Sequence, residues 1–153
     1  MDTANEQIEQ QMTVLLRRVQ RIHLSTAGGD VNLERSAYGI LCKLSDEGPQ
    51  RLGALANAFG LDPSTITRQV QALEQAGWVR RESDPADGRA SLLDLSDEGS
   101  RVLSATRERR RQRLNEALAD WPEDEYEEFG RLLEKFNISI DKVVQALAHR
   151  REA

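Results

Sequence analysis

Seven apolar residues near the end of the chain, Tyr126, Phe129, Leu133, Phe136, Ile140, Val143 and Leu147, follow one another at alternating steps of three and four. That spacing puts them on one stripe of a helix, and a stripe this long must be covered by another helix. A second, shorter seam lies at the other end: Ile8, Met12, Leu15, Val19 and Ile22 repeat the same steps within residues 6–26. The seams serve either as internal core or as a contact between subunits. Together they exceed what a small lobe between them needs, which favours subunit association.

Between the seams, Gly28-Gly29-Asp30 ends the first helix, and residues 33–47 predict a second with Ala37, Ile40, Leu41 and Leu44 inward, stopped by Gly48-Pro49. A short helix follows over residues 51–59, burying Leu52, Leu55, Ala56 and Phe59, with Gly60 as its C-cap. Asp62-Pro63 then opens a fourth helix, because Asp accepts from free N–H groups and Pro fits the first turn without losing a bond. Ile66, Val70, Leu73 and Ala76 line its inner face and Gly77 closes it; Thr65, Arg68, Gln69 and Gln71 form the opposite face. Residues 78–82 and 91–95 read as two strands, joined by a turn-rich tip over 83–90. Ser96, followed by Asp97 and Glu98, starts a helix that runs to about Asp120, and Pro122 starts the last.

These elements give a mainly α chain with a small β-hairpin wing. Helix, short helix, tight turn, capped helix and hairpin is the order of a winged helix-turn-helix. The expected division is a DNA-binding lobe over residues 33–99 and a helical dimerisation lobe over 6–26 and 100–149, all within one domain of 153 residues.

Composition removes other classes of protein. A single cysteine, Cys42, excludes a disulfide framework, and two distant histidines, His23 and His149, argue against a metal site. No apolar run reaches the ~20 residues of a membrane span, so a cytoplasmic chain without membrane contact is expected. Neither G-x-S-x-G, a phosphate-cradling glycine loop nor a His-carboxylate cluster occurs, so no catalytic residue and no cofactor are expected.

The net charge is −5, but residues 120–141 hold eight acids against Arg131 and Lys135, leaving +1 for everything else. A polyanion remains a possible partner away from that stretch. Eighteen of the 21 basic residues are arginine, the side chain suited to planar recognition of phosphates and base edges.

The chain resembles the multiple antibiotic resistance regulator (MarR) family of transcription factors. The resemblance is carried by LGALANAFGLDPSTITRQVQALEQAGWVRR from Leu52 to Arg81, DPADGR at 84–89 and LSDEG at 95–99. It implies that the helix matching residues 63–76 enters the major groove of double-stranded DNA, that Arg89 on the hairpin tip reaches the minor groove, and that the terminal helices form a homodimer. On its own chemistry, an Arg on an exposed turn suits the electronegative minor groove, and Asp87 is placed to orient its guanidinium. Ser64, Thr65, Thr67, Arg68 and Gln71 are the candidate contacts of the recognition helix, with Arg68 and Thr67 the preferred base readers and Ser64 either a contact or a helix cap.

A sequence-specific homodimeric repressor on an inverted-repeat operator is the expected function. The resemblance further implies a small-molecule pocket; Arg17, Arg18, His23 and Tyr38 are its candidates, and a cation there suits an aromatic carboxylate. Cys42 admits a thiol-redox alternative but reads first as a small core residue. A winged-helix protein-interaction module is the remaining reading. The run RERRRQR, Arg107 to Arg113, is expected to be a solvated face or to pair with the acidic last helix.

Overall fold

The Asp62 carboxylate accepts the Thr65 N–H at 2.8 Å, Pro63 occupies the first turn, and a 13-residue helix starts there as the sequence requires. In the computed structural model, which describes residues 2–21 and 35–152, that helix is the fourth of six. The order is α1 (Asp2–Arg21), α2 (Arg35–Glu47), β1 (Gln50–Arg51), α3 (Leu52–Phe59), α4 (Pro63–Gln75), β2 (Val79–Asp84), β3 (Asp87–Leu95), α5 (Asp97–Ala117) and α6 (Glu123–Glu152). The chain is thus mostly helical, with one small antiparallel sheet.

Several boundaries differ from expectation. Helix α1 starts four residues before Glu6, while its expected end at Gly28-Gly29-Asp30, with Ile22 and His23, lies outside the described residues. The sheet has three strands in the order β1-β3-β2, because Gln50 and Arg51 pair with Leu93 and Leu92. The hairpin strands reach further than expected, and only Pro85 and Ala86 remain as the turn between the paired Asp84 and Asp87. Helix α5 stops at Ala117, not Asp120, and a Trp121 N–H to Leu118 carbonyl bond closes the turn before α6.

The core is drawn from every element around the sheet. Ile40, Leu41 and Leu44 of α2 meet Leu55 and Ala56 of α3, Ile66, Val70 and Leu73 of α4, Val79 and Leu93 of the hairpin and Leu103 of α5. Each fully buried Leu or Ile contributes about 1.5–3 kcal/mol relative to exposure. Gly60 makes the turn between α3 and α4 at φ 61°, a conformation that resists a side chain, and its N–H and that of Leu61 return to carbonyls of α3. Two expected core positions are more open. Ala76 is exposed because it is the C-cap of α4, and Phe59 keeps 36% exposure with its ring edge seated over Gly39 of α2.

The chain divides into two compact units, with the boundary after Arg110 within α5. In the second unit Trp121 and Phe129 pack as a tilted ring pair, 5.4 Å apart. All seven seam residues of α6 stand exposed, as do Ile8, Met12 and Leu15 of α1.

Candidate nucleic-acid interface

The outer face of α4 begins with a set of hydroxyls that already have partners. Asp62 receives the Ser64 hydroxyl at 2.5 Å and the Thr65 hydroxyl at 2.8 Å, and Thr67 donates to the Pro63 carbonyl at 2.6 Å. The Ser64 hydroxyl, foremost, and the Thr65 N–H and hydroxyl hold the Asp62 carboxyl down at about 2. Asp62, not Ser64, is therefore the helix cap. Further along, Arg68 and Gln71 are exposed. Gln69, expected on this face, is half-buried, and its Oε1 is buried without a hydrogen-bond partner among the described residues.

Helix α4 and the wing are held to each other at both ends of the short connection. The Trp78 N–H donates to the Leu73 carbonyl at 3.0 Å, and Arg81 of β2 forks onto Glu74 of α4 at 2.7 and 3.2 Å. That carboxylate raises the already high Arg81 pKa. On the far side, Ser96 accepts the Gly99 N–H at 3.0 Å and donates to the Gly77 carbonyl at 2.5 Å, capping α5 against the end of α4. A recognition helix fixed to its wing presents both as one rigid surface.

Several arginines of the sheet and of α5 are neutralised. Arg51 pairs with Asp84, Arg80 with Glu82 and Asp94, Arg81 with Glu74, Arg101 with Glu98 and Arg107 with Asp46. Arg68 on α4 and Arg89 on the wing are exposed and make no ion pair among the described residues. Helix α4 and the wing thus each present one exposed, unpaired guanidinium.

Residues 33–91 match the model of the MarR family. The HTH-type transcriptional regulator YxaD of Bacillus subtilis (strain 168), itself uncharacterized, is 40% identical over 132 residues, 86% of this chain and 92% of that one. The chain belongs to the MarR family. It is accordingly a DNA-binding helix-turn-helix transcriptional regulator, and regulators of this family are not enzymes. The repressor NicR of Pseudomonas putida is 28% identical over 108 residues, 69% of this chain and 68% of NicR. Among solved structures, the PcaV regulator of Streptomyces coelicolor, crystallised with its natural ligand, is 31% identical with a TM-score of 0.61, covering 82% of this chain and 91% of PcaV.

The MarR wing differs from expectation in how its acids act. Asp87 accepts the backbone N–H of Arg89 at 3.1 Å, so it orders the strand start and does not hold the guanidinium. One wing contact has no counterpart in the sequence reading: Arg51 Nε donates to Asp84 Oδ2 at 2.7 Å across 33 residues of sequence. A pair so far apart leaves no periodic signal. Only the pairing of β1 with β3 brings it together.

Of the four expected ligand contacts, Arg17 and Arg18 are exposed on α1 and His23 lies outside the described residues. Tyr38 is half-buried, with the Arg110 guanidinium 4.3 Å from its ring centre. Burial, foremost, and the neighbouring Cys42 push the Tyr38 hydroxyl up. Cys42 is half-buried at the core margin beside Arg107, which donates to Asp46 at 2.8 Å. The Arg107–Arg113 run is thus more than a solvated face, since two of its arginines reach α2. Among the described residues no cluster of three or more His, Cys, Asp or Glu is arranged to hold a metal ion, and no helix is long and apolar enough to cross a membrane.

Proposed function

We propose that this MarR-family regulator is a cytoplasmic homodimeric repressor of an inverted-repeat operator. Two copies of α4 enter successive major grooves, with Arg68 and Gln71 reading base edges; Thr67, expected to read a base but with its hydroxyl given to the Pro63 carbonyl, stands with Ser64 and Thr65 along the phosphates, while Arg89 of each wing enters the flanking minor groove. The observation that carries this reading is the unpaired, exposed state of Arg68 and Arg89, while the sheet arginines Arg51, Arg80 and Arg81 are neutralised by carboxylates. The exposed seams of α1 and α6 supply the dimer contacts, since apolar stripes this long cost heavily in water. A two-fold dimer demands half-sites whose centres are ~10 bp apart or a multiple of that.

We further propose that a small aromatic carboxylate lowers DNA affinity. Tyr38, under Arg110 and beside Arg107, has the ring and the cations such a ligand needs; Arg17, Arg18 and His23 remain candidates on the chain leading to it. That PcaV was solved with a natural ligand supports a ligand-responsive reading over the thiol-redox one, and NicR supports repression.

The test starts from a duplex selected by the wild-type protein from a random-sequence pool. Arg68→Ala is expected to cost ~1–3 kcal/mol and relax preference at one position per half-site. Arg89→Ala should weaken binding on selected and scrambled duplexes alike and flatten the dependence of log K on log salt by ~0.9 for each phosphate that is no longer neutralised. Wild-type affinity in both variants overturns the DNA interface and leaves the protein-interaction reading.

A further inference from the structure

Asp84 is the only buried charged side chain among the described residues, and it sits where burial is least expected, at the edge of a two-residue turn in a projecting hairpin. Its relative exposure is 7%, although the residues on either side of it, Ser83 and Pro85, are exposed. Both of its oxygens are used. Oδ1 accepts the Ala86 N–H at 2.9 Å, and Oδ2 takes the Arg51 guanidinium through Nε at 2.7 Å and Nη2 at 2.5 Å. The Ala86 N–H, foremost, and Arg51 hold the Asp84 carboxyl below the usual range. A buried carboxylate is tolerated only when paired and hydrogen-bonded in this way, and removing its partner leaves the charge stranded.

Arg51 is itself held from the opposite side. It is the last residue of β1, paired with Leu92 of β3, and it stands at the N-cap position of α3, the first helix of the helix-turn-helix, without a side-chain bond to that helix. Its guanidinium therefore connects the helix-turn-helix to the turn of the wing at Pro85-Ala86, where the pairing of β2 and β3 is irregular between Ser83 and Asp84. Arg89 follows five residues after Asp84 with no ion pair of its own among the described residues. The other bridge between the wing and the helices, the Arg81–Glu74 fork, acts nearer the base of β2 and leaves the turn to the Arg51–Asp84 pair.

We infer that Arg51 and Asp84 form a clamp that positions the wing tip, and with it Arg89, for the minor groove, so that Arg51 serves DNA binding through Asp84 and not by touching a phosphate. The inference rests on the proposed role of Arg89. It assigns a DNA-binding function to an acidic residue on the DNA-facing side, which gives it an unusual sign. Removing a negative charge beside a polyanion by itself tightens binding. A clamp requires that the same change weaken it.

The experiment measures affinity for the duplex selected from a random pool, with wild type, Asp84→Asn, Arg51→Gln, Arg51→Lys, Arg89→Ala and the double variant Asp84→Asn/Arg89→Ala. Asp84→Asn is expected to bind roughly two- to 150-fold more weakly, the range for coupled neighbouring groups, and to add less than about twofold once Arg89 is gone. Arg51→Lys keeps the charge but loses the fork, so it should weaken binding about as much as Arg51→Gln. Amide exchange at Ala86 and Arg89 should rise in these variants while that of α4 stays protected. Tighter or unchanged binding by Asp84→Asn, full affinity in Arg51→Lys, or losses that simply add to that of Arg89→Ala overturn the clamp. Should Asp84→Asn not fold, the Arg51→Lys and Arg51→Gln pair still separates a clamp from a phosphate contact. Wild-type affinity in Arg89→Ala instead overturns the reading on which the clamp rests.

Discussion

Adding a single methyl group at Gly99 is expected to cost about as much stability as cutting a buried core side chain to Ala. An ideal Cβ there lies 1.9 Å from the Trp78 carbonyl oxygen, 2.8 Å from its carbon and 3.1 Å from Cα, all backbone atoms that no rotamer change can move. Relieving the contact pushes the first turn of α5 off the start of β2 by about an ångström, as far as packed groups tolerate overlap. Three hydrogen bonds converge on that spot: Ser96 N–H to the Trp78 carbonyl, the Ser96 hydroxyl to the Gly77 carbonyl, and the Gly99 N–H to the Ser96 hydroxyl. Losing them costs about 1 kcal/mol each. Overpacking adds ~1–3 kcal/mol, and the better helix propensity of Ala returns at most ~1 kcal/mol. Gly99→Ala should therefore lose about 3–6 kcal/mol, a large part of the ~5–15 kcal/mol that holds a domain together. Urea unfolding followed by circular dichroism, at fixed protomer concentration, reads this as a lower midpoint with an unchanged slope. Gly53→Ala, whose Cβ meets nothing within 4 Å, is the control and should stay near wild type. A Gly99→Ala protein within about 1 kcal/mol of wild type would refute the reasoning, because the close approach of α5 to Trp78 could not then be as described.

Other consequences follow from the same geometry. Leu93, fully buried in the central strand, should cost about 2–5 kcal/mol when cut to Ala, read from the same urea curves. The Asp62 carboxyl is held at about 2 against an ordinary 3.8, so its contribution is complete above pH 4 and disappears as pH falls from there towards 2. The stability difference between wild type and Asp62→Ala, measured from pH 6 to pH 2, should shrink only in that window; a difference that does not change there contradicts the assigned bonds. Phe136→Glu, in the middle of the exposed α6 seam, should convert a light-scattering mass of about twice 17.2 kDa into 17.2 kDa. A wild-type monomer at micromolar concentration removes the two-half-site model.

What the sequence made legible was local. Asp62-Pro63, Gly60, Ser96 and the spacing of Ile66, Val70 and Leu73 each act within a few residues, through caps, a positive φ or helical periodicity, and each is found where expected. What stayed hidden depends on partners distant in sequence. Gln50 and Arg51 have no alternation of their own and are a strand only because Leu92 and Leu93 lie opposite. Ser83 and Asp84 carry turn chemistry yet belong to the ladder, and Asp84 is buried by an arginine 33 residues away. Arg107 belongs to a charge run that suggests a solvated helix, but Asp46 captures it across 61 residues. The site divides in the same way: Arg68, Gln71 and Arg89 were legible as exposed polar groups, while the acids that position or neutralise their neighbours were not.

That division bears on how binding energy is distributed. Residues 1–110, the unit that meets DNA on the proposed reading, carry 14 basic and 16 acidic side chains and so have no bulk attraction for it. The hydroxyls of Ser64, Thr65 and Thr67 already donate to Asp62 or to the Pro63 carbonyl. A phosphate oxygen only accepts, so each hydroxyl must give up its present bond to reach one, and an exchange of one bond for another yields little net free energy. Ser64 and Thr65 would also leave the Asp62 carboxylate, which they hold ionised, with fewer donors close to the phosphates. An unpaired arginine has no such bond to break. On the proposed interface Arg68 and Arg89 would lose only hydration and gain charge-assisted contacts in return, which would place most of the electrostatic contribution on these two residues. On the proposed interface so few cations engage that the slope of log K against log salt is expected to be shallow, and specificity would depend on where the two guanidiniums are held: Arg68 on the capped helix, Arg89 on a wing tied by the Glu74–Arg81 and Arg51–Asp84 pairs.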